Sequence, residues 1–142
     1  MKTLRQLLAS KARAPVSVAP TDTVYDALQV MSGNNVGAVL VLDDGKLVGI
    51  FSERDYARKG ILHGKASKDT LVRELMSDKV LYVTPDRSIE ECMAIMTDKH
   101  FRHLPILEEG QVVGIISIGD VVKETISAQQ FIIAQLEKYI AG

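Results

Sequence analysis

The chain has 142 residues, 46% of them apolar and 25% charged, and a formal net charge of -1. That is enough apolar length for one compact domain with its own core, and the balance of acids and bases lacks the basic surplus that phosphate backbones demand, so nucleic acid is excluded as the expected partner. Apolar runs such as Val36 to Leu42 are too short to cross a bilayer, and a single cysteine, Cys92, leaves no internal disulfide. With no apolar secretory segment among Met1 to Arg13, the expected setting is cytoplasmic, away from membranes.

In chain order, Leu4, Leu7 and Leu8 predict a short amphipathic helix. A short strand over Pro15–Val18 follows, ended by Pro20. Val24, Ala27, Leu28 and Met31 recur at i, i+3, i+4 and i+7, one apolar stripe of a helix over Thr23–Ser32. Thr23-x-x-Asp26 at its start is a capping-box spacing. Two apolar runs, Val36–Leu42 and Lys46–Phe51, are split by Asp43-Asp44-Gly45, a hairpin signal in which Gly supplies a positive φ. A second helix starts at Ser52. Lys59–Thr70 reads as a polar crossover with Lys59, Lys65, Lys68 and His63, and a short helix near Leu71–Met76 leads onward.

From there the chain repeats itself. Shifted by sixty-five residues, Val16–Arg58 lies on Leu81–Lys123 without a gap, and ten of the forty-three pairs are identical. Ser88-x-x-Glu91 repeats the cap, Ile89, Cys92, Met93 and Met96 the stripe, and Glu108-Glu109-Gly110 the turn between His103–Leu107 and Val112–Ile116. Each copy is therefore β-α-β-β-α, and two copies are too few for a solenoid, so they bury their faces against each other. The last helix is predicted over Asp120–Ile140, longer than one half needs.

Two elements could carry chemistry. Ser52-Glu53-Arg54-Asp55 and Ser117-Ile118-Gly119-Asp120 each place a hydroxyl and a carboxylate where a strand turns into a helix. The bland reading is a further capping box; the functional one adds that the carboxylate can accept both hydroxyls of a ribose, beside N–H groups that favour anions. His100-Phe101-Arg102-His103-Leu104-Pro105 enters a strand with three groups suited to a phosphate, whereas the matching positions in the first copy are Asn35, Gly37 and Ala38. No Gly-x-x-x-x-Gly-Lys-Ser/Thr or Gly-x-Gly-x-x-Gly occurs, the histidines lack metal-ligand spacing, and Cys92 sits on an apolar stripe. The expected catalytic and metal-ligating sets are empty.

The tandem repeat, with its endings Gly49-Ile50-Phe51-Ser52-Glu53-Arg54-Asp55 and Gly114-Ile115-Ile116-Ser117-Ile118-Gly119-Asp120 and its Arg102-His103-Leu104-Pro105 strand start, resembles a pair of CBS domains, a Bateman module, over Ala14–Lys123. The resemblance implies an α/β (α+β) fold of two repeats, 1–64 and 65–142, related by a pseudo-two-fold axis. It implies a regulatory module and not an enzyme, binding AMP, ADP, ATP or NAD(H) between the repeats and modulating a partner protein. Carried over residue by residue, Ser52, Arg54 and Asp55 work with Leu81, Arg102 and His103. Ser117 and Asp120 work with Val16, Gly37 and Ala38, a set that lacks Arg and His. The alternative is a ligand-free interaction protein that has kept only the fold. A homodimer is expected, because Ile126, Ile133, Leu136 and Ile140 form a stripe suited to a partner helix; the rival is that the helix folds back on its own module.

Overall fold

The computed structural model describes residues 2–10 and 15–141. Met1 and Gly142, the outer bounds assigned to the repeats, and Ala14, where the resemblance begins, lie outside the described residues.

Helix α1 spans Leu4–Ser10, strand β1 Ser17–Val18 and helix α2 Val24–Asn34. Thr23 caps α2 by accepting the Asp26 N–H at 3.1 Å. Asn35 closes it in the left-handed conformation (φ 54°), returning its N–H to the Met31 and Ser32 carbonyls. Strands β2 (Ala38–Asp43) and β3 (Lys46–Ser52) form the expected hairpin, with Asp44 and Gly45 at φ 52° and 81° in the turn. β1 joins β2 in parallel, giving a three-stranded sheet in the order β1-β2-β3.

The second half repeats this with helix α5 over Ile89–Lys99, preceded by its expected capping box at Ser88 and Glu91. Strands β4 (His103–Glu108) and β5 (Gln111–Ser117) turn through Glu109 and Gly110 at φ 51° and 78°. The counterpart of β1 shrinks to a single parallel bridge between Val83 and Ile106. Both hairpins carry a register irregularity at the same relative place, Val41/Leu42 and Ile106/Leu107.

The crossover differs from the polar loop that the sequence suggests. After the short helix α3 (Glu53–Asp55), Tyr56–Gly60 winds as a π-helical turn and Ile61–His63 as a 3-10 turn, ended by Gly64 at φ 73°. Helix α4 then spans Val72–Leu75. It does not merely lead into the second copy. Val72 and Leu75 are buried in the first core with Val24, Met31, Val39, Val41 and Phe51. Leu4 and Leu7 of α1 are buried in the second core with Ile89, Cys92, Met96, Leu104 and Ile116. The lead helix of each half thus completes the core of the other.

The exchange is symmetrical to the level of single hydrogen bonds. The Leu4 and Arg5 N–H groups donate to the Arg87 and Pro85 carbonyls at 2.9 and 3.0 Å. Val72 and Arg73 donate to Asp22 and Pro20 at 2.8 and 3.0 Å. Glycines in the two third strands make room for it. A Cβ on Gly114 would overlap Leu8, and one on Gly49 would lie 2.6 Å from the Met76 sulfur and 2.9 Å from the Ser77 carbonyl oxygen.

Helix α6 runs over Ile118–Ala141, two residues earlier than the sequence suggests. Val121 is its last fully buried side chain, and 126–140 are exposed throughout.

Leu4 is fully buried, so Leu4→Ala removes most of an apolar side chain from a core in another part of the chain. Urea unfolding is expected to show a loss of about 2–5 kcal/mol. Leu62→Ala, at a side chain 77% exposed, should stay within about 0.5 kcal/mol. Equal and small effects would show that α1 is not part of the second core.

Candidate functional site

The site grows out of the turn between β3 and α3. Ser52 sits in extended backbone and caps the helix. Its Oγ accepts the Asp55 N–H at 3.1 Å, while Asp55 Oδ2 accepts from the Ser52 N–H and Oγ–H, each at 3.0 Å. The capping-box reading of Ser-x-x-Asp is therefore realised, and it fixes the carboxylate. The other oxygen, Oδ1, faces Lys59 Nζ at 3.3 Å and Ser77 Oγ at 3.5 Å. Lys59 also reaches the Leu75 carbonyl at 3.4 Å, so the carboxylate is tied to the residues around the end of α4. Asp55 remains 15% exposed.

The opposite wall comes from the second half. His100 closes α5 in the left-handed conformation (φ 60°), turning the chain so that Phe101 and Arg102 are exposed ahead of β4. The Arg102 carbonyl accepts the Ile118 N–H at 2.8 Å, as the Gly37 carbonyl accepts that of Glu53 at 3.0 Å in the first half. Between the halves, the extended connector before Val83 contributes Lys79, Val80 and Leu81. Together these stretches enclose a half-open cleft of about 500 Å³.

Ser52, Arg54, Asp55, Leu81, Arg102 and His103 all line this cleft. Gly37, grouped by sequence with Ser117 and Asp120, lines it too, because its strand entry abuts the Ser52–Glu53 turn of its own half. Val16 is half-buried beside β2, its carbonyl accepting the Leu40 N–H, and Ala38 is buried opposite Ser52 in the hairpin. Ser117 and Asp120 form the second strand-to-helix box, with bonds of 2.9 and 3.1 Å. A second depression, about 520 Å³, takes in none of these: it lies along α6 between Ile118 and Ser127. Among the lining residues that the sequence reading did not assign are Arg58, Lys79 and Ser77, together with His100 and Phe101 of the phosphate-suited stretch. Arg58 follows Arg54 by one helical turn, a spacing signal that was available; Lys79 had none.

Burial holds His103 below its ordinary value of 6.5, aided by Arg102 and opposed by the nearby Asp120 carboxylate. His103 pairs with Ser117 in the register of the hairpin and also lines the cleft. Burial also pushes the Cys92 thiol up to about 11. Among the described residues no cluster of three or more His, Cys, Asp or Glu could hold a metal ion, and no helix is long and apolar enough to cross a membrane.

The CBS-domain family model matches residues 9–61 and 72–127. The chain belongs to the CBS-domain family, as a tandem pair. It is 40% identical over 126 residues to the mitochondrial CBS domain-containing protein CBSX3 of Arabidopsis thaliana, covering 85% of this chain and 61% of that one. It therefore spans about three fifths of that relative's length. A CBS-domain structure from Burkholderia ambifaria, described as a candidate signal-transduction protein, matches with a TM-score of 0.86 and 46% identity over 90% of this chain and 96% of that chain. The CBS pair of protein MJ0100, solved with 5-methylthioadenosine and S-adenosylmethionine, shares the fold at a TM-score of 0.80 and 20% identity, over 90% and 98% of the two chains.

A buried thiol with a raised pKa is a poor nucleophile, since the thiolate is the reactive form. Ellman's reagent at neutral pH is expected to leave native Cys92 unmodified and to titrate one thiol after denaturation. Rapid reaction of the folded protein would place Cys92 in an open, activated setting instead.

Proposed function

We propose that the protein is a regulatory module that binds an adenine nucleotide in the cleft between its two CBS repeats, 1–64 and 65–142, and modulates a partner protein in the cytoplasm. AMP, ADP, ATP and NAD(H) are the candidate ligands. The observation that carries this reading is the meeting of Asp55 from one repeat with Arg102 from the other in a single cleft. A carboxylate that stays partly exposed in the cleft can accept ribose hydroxyls. A guanidinium offers a planar fork to phosphate. Val80, Leu81 and Phe101 supply apolar surface for the base, as ligand clefts generally do. The use of this fold by the MJ0100 pair to hold adenosine derivatives supports the same ligand class. His103, Ser52 and Arg54 complete this site; Ser117 and Asp120 of the second repeat, with Val16, Gly37 and Ala38 of the first, belong to a second site. The role is regulatory, not catalytic.

Asp55→Asn keeps an oxygen for the helix cap but discards the charge that the ribose hydroxyls donate to. Calorimetry with AMP should show binding weakened by about 1–3 kcal/mol. The circular dichroism spectrum should be unchanged. Absence of heat from every adenine compound with the native protein would defeat the proposal.

The second partner is another copy of the chain. Along α6, Ile126, Ile133, Leu136 and Ile140 are 48%, 54%, 57% and 82% exposed, so the helix does not fold back over its own module. The seam runs on from Val122 with heptad-like steps and β-branched residues, a pattern that pairs with a like helix. An isologous contact uses the same stripe twice. Light scattering is expected to give about twice the 15.6 kDa chain mass, and Ile133→Glu should shift it towards the monomer. A native monomer at high micromolar concentration would rule the dimer out.

A further inference from the structure

We infer that the cleft selects nucleoside di- and triphosphates over monophosphates, with Arg58 and Lys79 holding the phosphates beyond the first. This rests on the adenine-nucleotide reading and adds to it the charge class of the ligand.

Four cations line the cleft: Arg54, Arg58, Lys79 and Arg102. None of them forms an ion pair among the described residues. Some cations elsewhere are matched, Arg5 with Asp86 and Glu108, Lys2 with Glu124, and Arg87 with Glu91, and those that are not lie scattered over the surface instead of gathered in a cleft. Within the site itself, Lys59 is matched by Asp55. Glu53 is the one carboxylate in the cleft left to offset the four. Concentrated, uncompensated charge in a concave surface focuses its field on whatever enters.

The bland alternative is a solvated face on one helix. It does not fit the origin of the charges, which come from three separate stretches: the turns after β3, the connector between the halves, and the entry to β4. Arg54 and Arg102 already suffice for a terminal phosphate, which carries about two negative charges near neutral pH. Arg58 and Lys79 then remain without anions. Each further phosphoryl group adds one negative charge, and Arg58 follows Arg54 by four residues across α3 and the π-helical turn and lines the same cleft. The second half carries Gly119 where the first has Arg54 but keeps Lys123 where the first has Arg58, so the paired guanidinium groups at i and i+4 occur only in the first half.

The test is calorimetric titration of the full chain with adenosine, AMP, ADP and ATP at low and high salt. Affinity should climb with each phosphate, by about tenfold overall from AMP to ATP, and the gap should narrow at high salt. The double variant Arg58→Ala, Lys79→Ala should bring ATP down to the affinity of AMP while changing adenosine by less than about threefold. AMP binding as tightly as ATP would overturn the inference and leave the nucleotide reading standing, as would a double variant that weakens adenosine and ATP alike. Capture of inorganic tripolyphosphate without any adenine compound would overturn both.

Discussion

The exchange of lead helices is the contact on which the rest of the molecule depends. Each sheet has one face that its own α-helix cannot cover completely, and the missing apolar side chains come from the segment that precedes the other repeat. Leu4 and Leu7 enter the second core; Val72 and Leu75 enter the first. Burial of one such leucine is worth roughly 1.5–3 kcal/mol, so withdrawing either helix removes a large share of a small domain's net stability. Neither half is a complete globule by itself. The two repeats are held at a defined separation because each is fastened through the other.

The candidate site inherits its geometry from that fastening. Ser77, two residues after α4, reaches Asp55, and the Lys59 ammonium bridges Asp55 and the Leu75 carbonyl. The Ser77 N–H and carbonyl also pair with the Ile50 carbonyl and N–H at 2.9 and 3.0 Å, stitching the connector to β3. The connector then passes Lys79, Val80 and Leu81 along the cleft on its way to Val83. A side chain that looks like a mere helix cap is thus held from three directions, and the cleft is lined by the chain segment that joins the halves.

Much of this was legible in the sequence, for identifiable reasons. Hairpins announced themselves because a tight turn needs positive φ, and Asp44-Gly45 and Glu109-Gly110 meet that need with the same chemistry twice. Helix starts were legible because orphan N–H groups require a local acceptor. The exchange was not, and its cause is a change of register. The bodies repeat at a shift of sixty-five residues, but Leu4, Leu7 and Leu8 correspond to Val72, Leu75 and Met76, a shift of sixty-eight. A gapless comparison stops at the mismatch and leaves both helices as flanks. The π-helical turn over Tyr56–Gly60 had no pattern of its own either, since a widened turn depends on packing around buried Gly60.

The site divides along the same line between local and long-range information. Ser52 and Asp55 were readable from spacing, and Arg102 and His103 from their charge at a strand entry. Gly37 joined the first cleft because its place is set by a backbone bond to Glu53, a contact that no residue type advertises. Lys79 is a lysine in an irregular connector until the fold delivers it to the cleft that Arg54 also lines. Divergence between the copies also becomes interpretable. The i+4 neighbour of Asp55 is Lys59, which neutralises it, whereas that of Asp120 is Glu124, drawn off by Lys2 at 3.1 Å. With the same cap and the same core, the two repeats place residues of opposite charge one turn beyond equivalent carboxylates. An anion that touches Asp55, Leu81 and Arg102 together contacts both repeats and the connector at once. It can shift their arrangement only by the difference in its affinity for the alternatives, and contacts spanning both halves are the ones that change when the halves move.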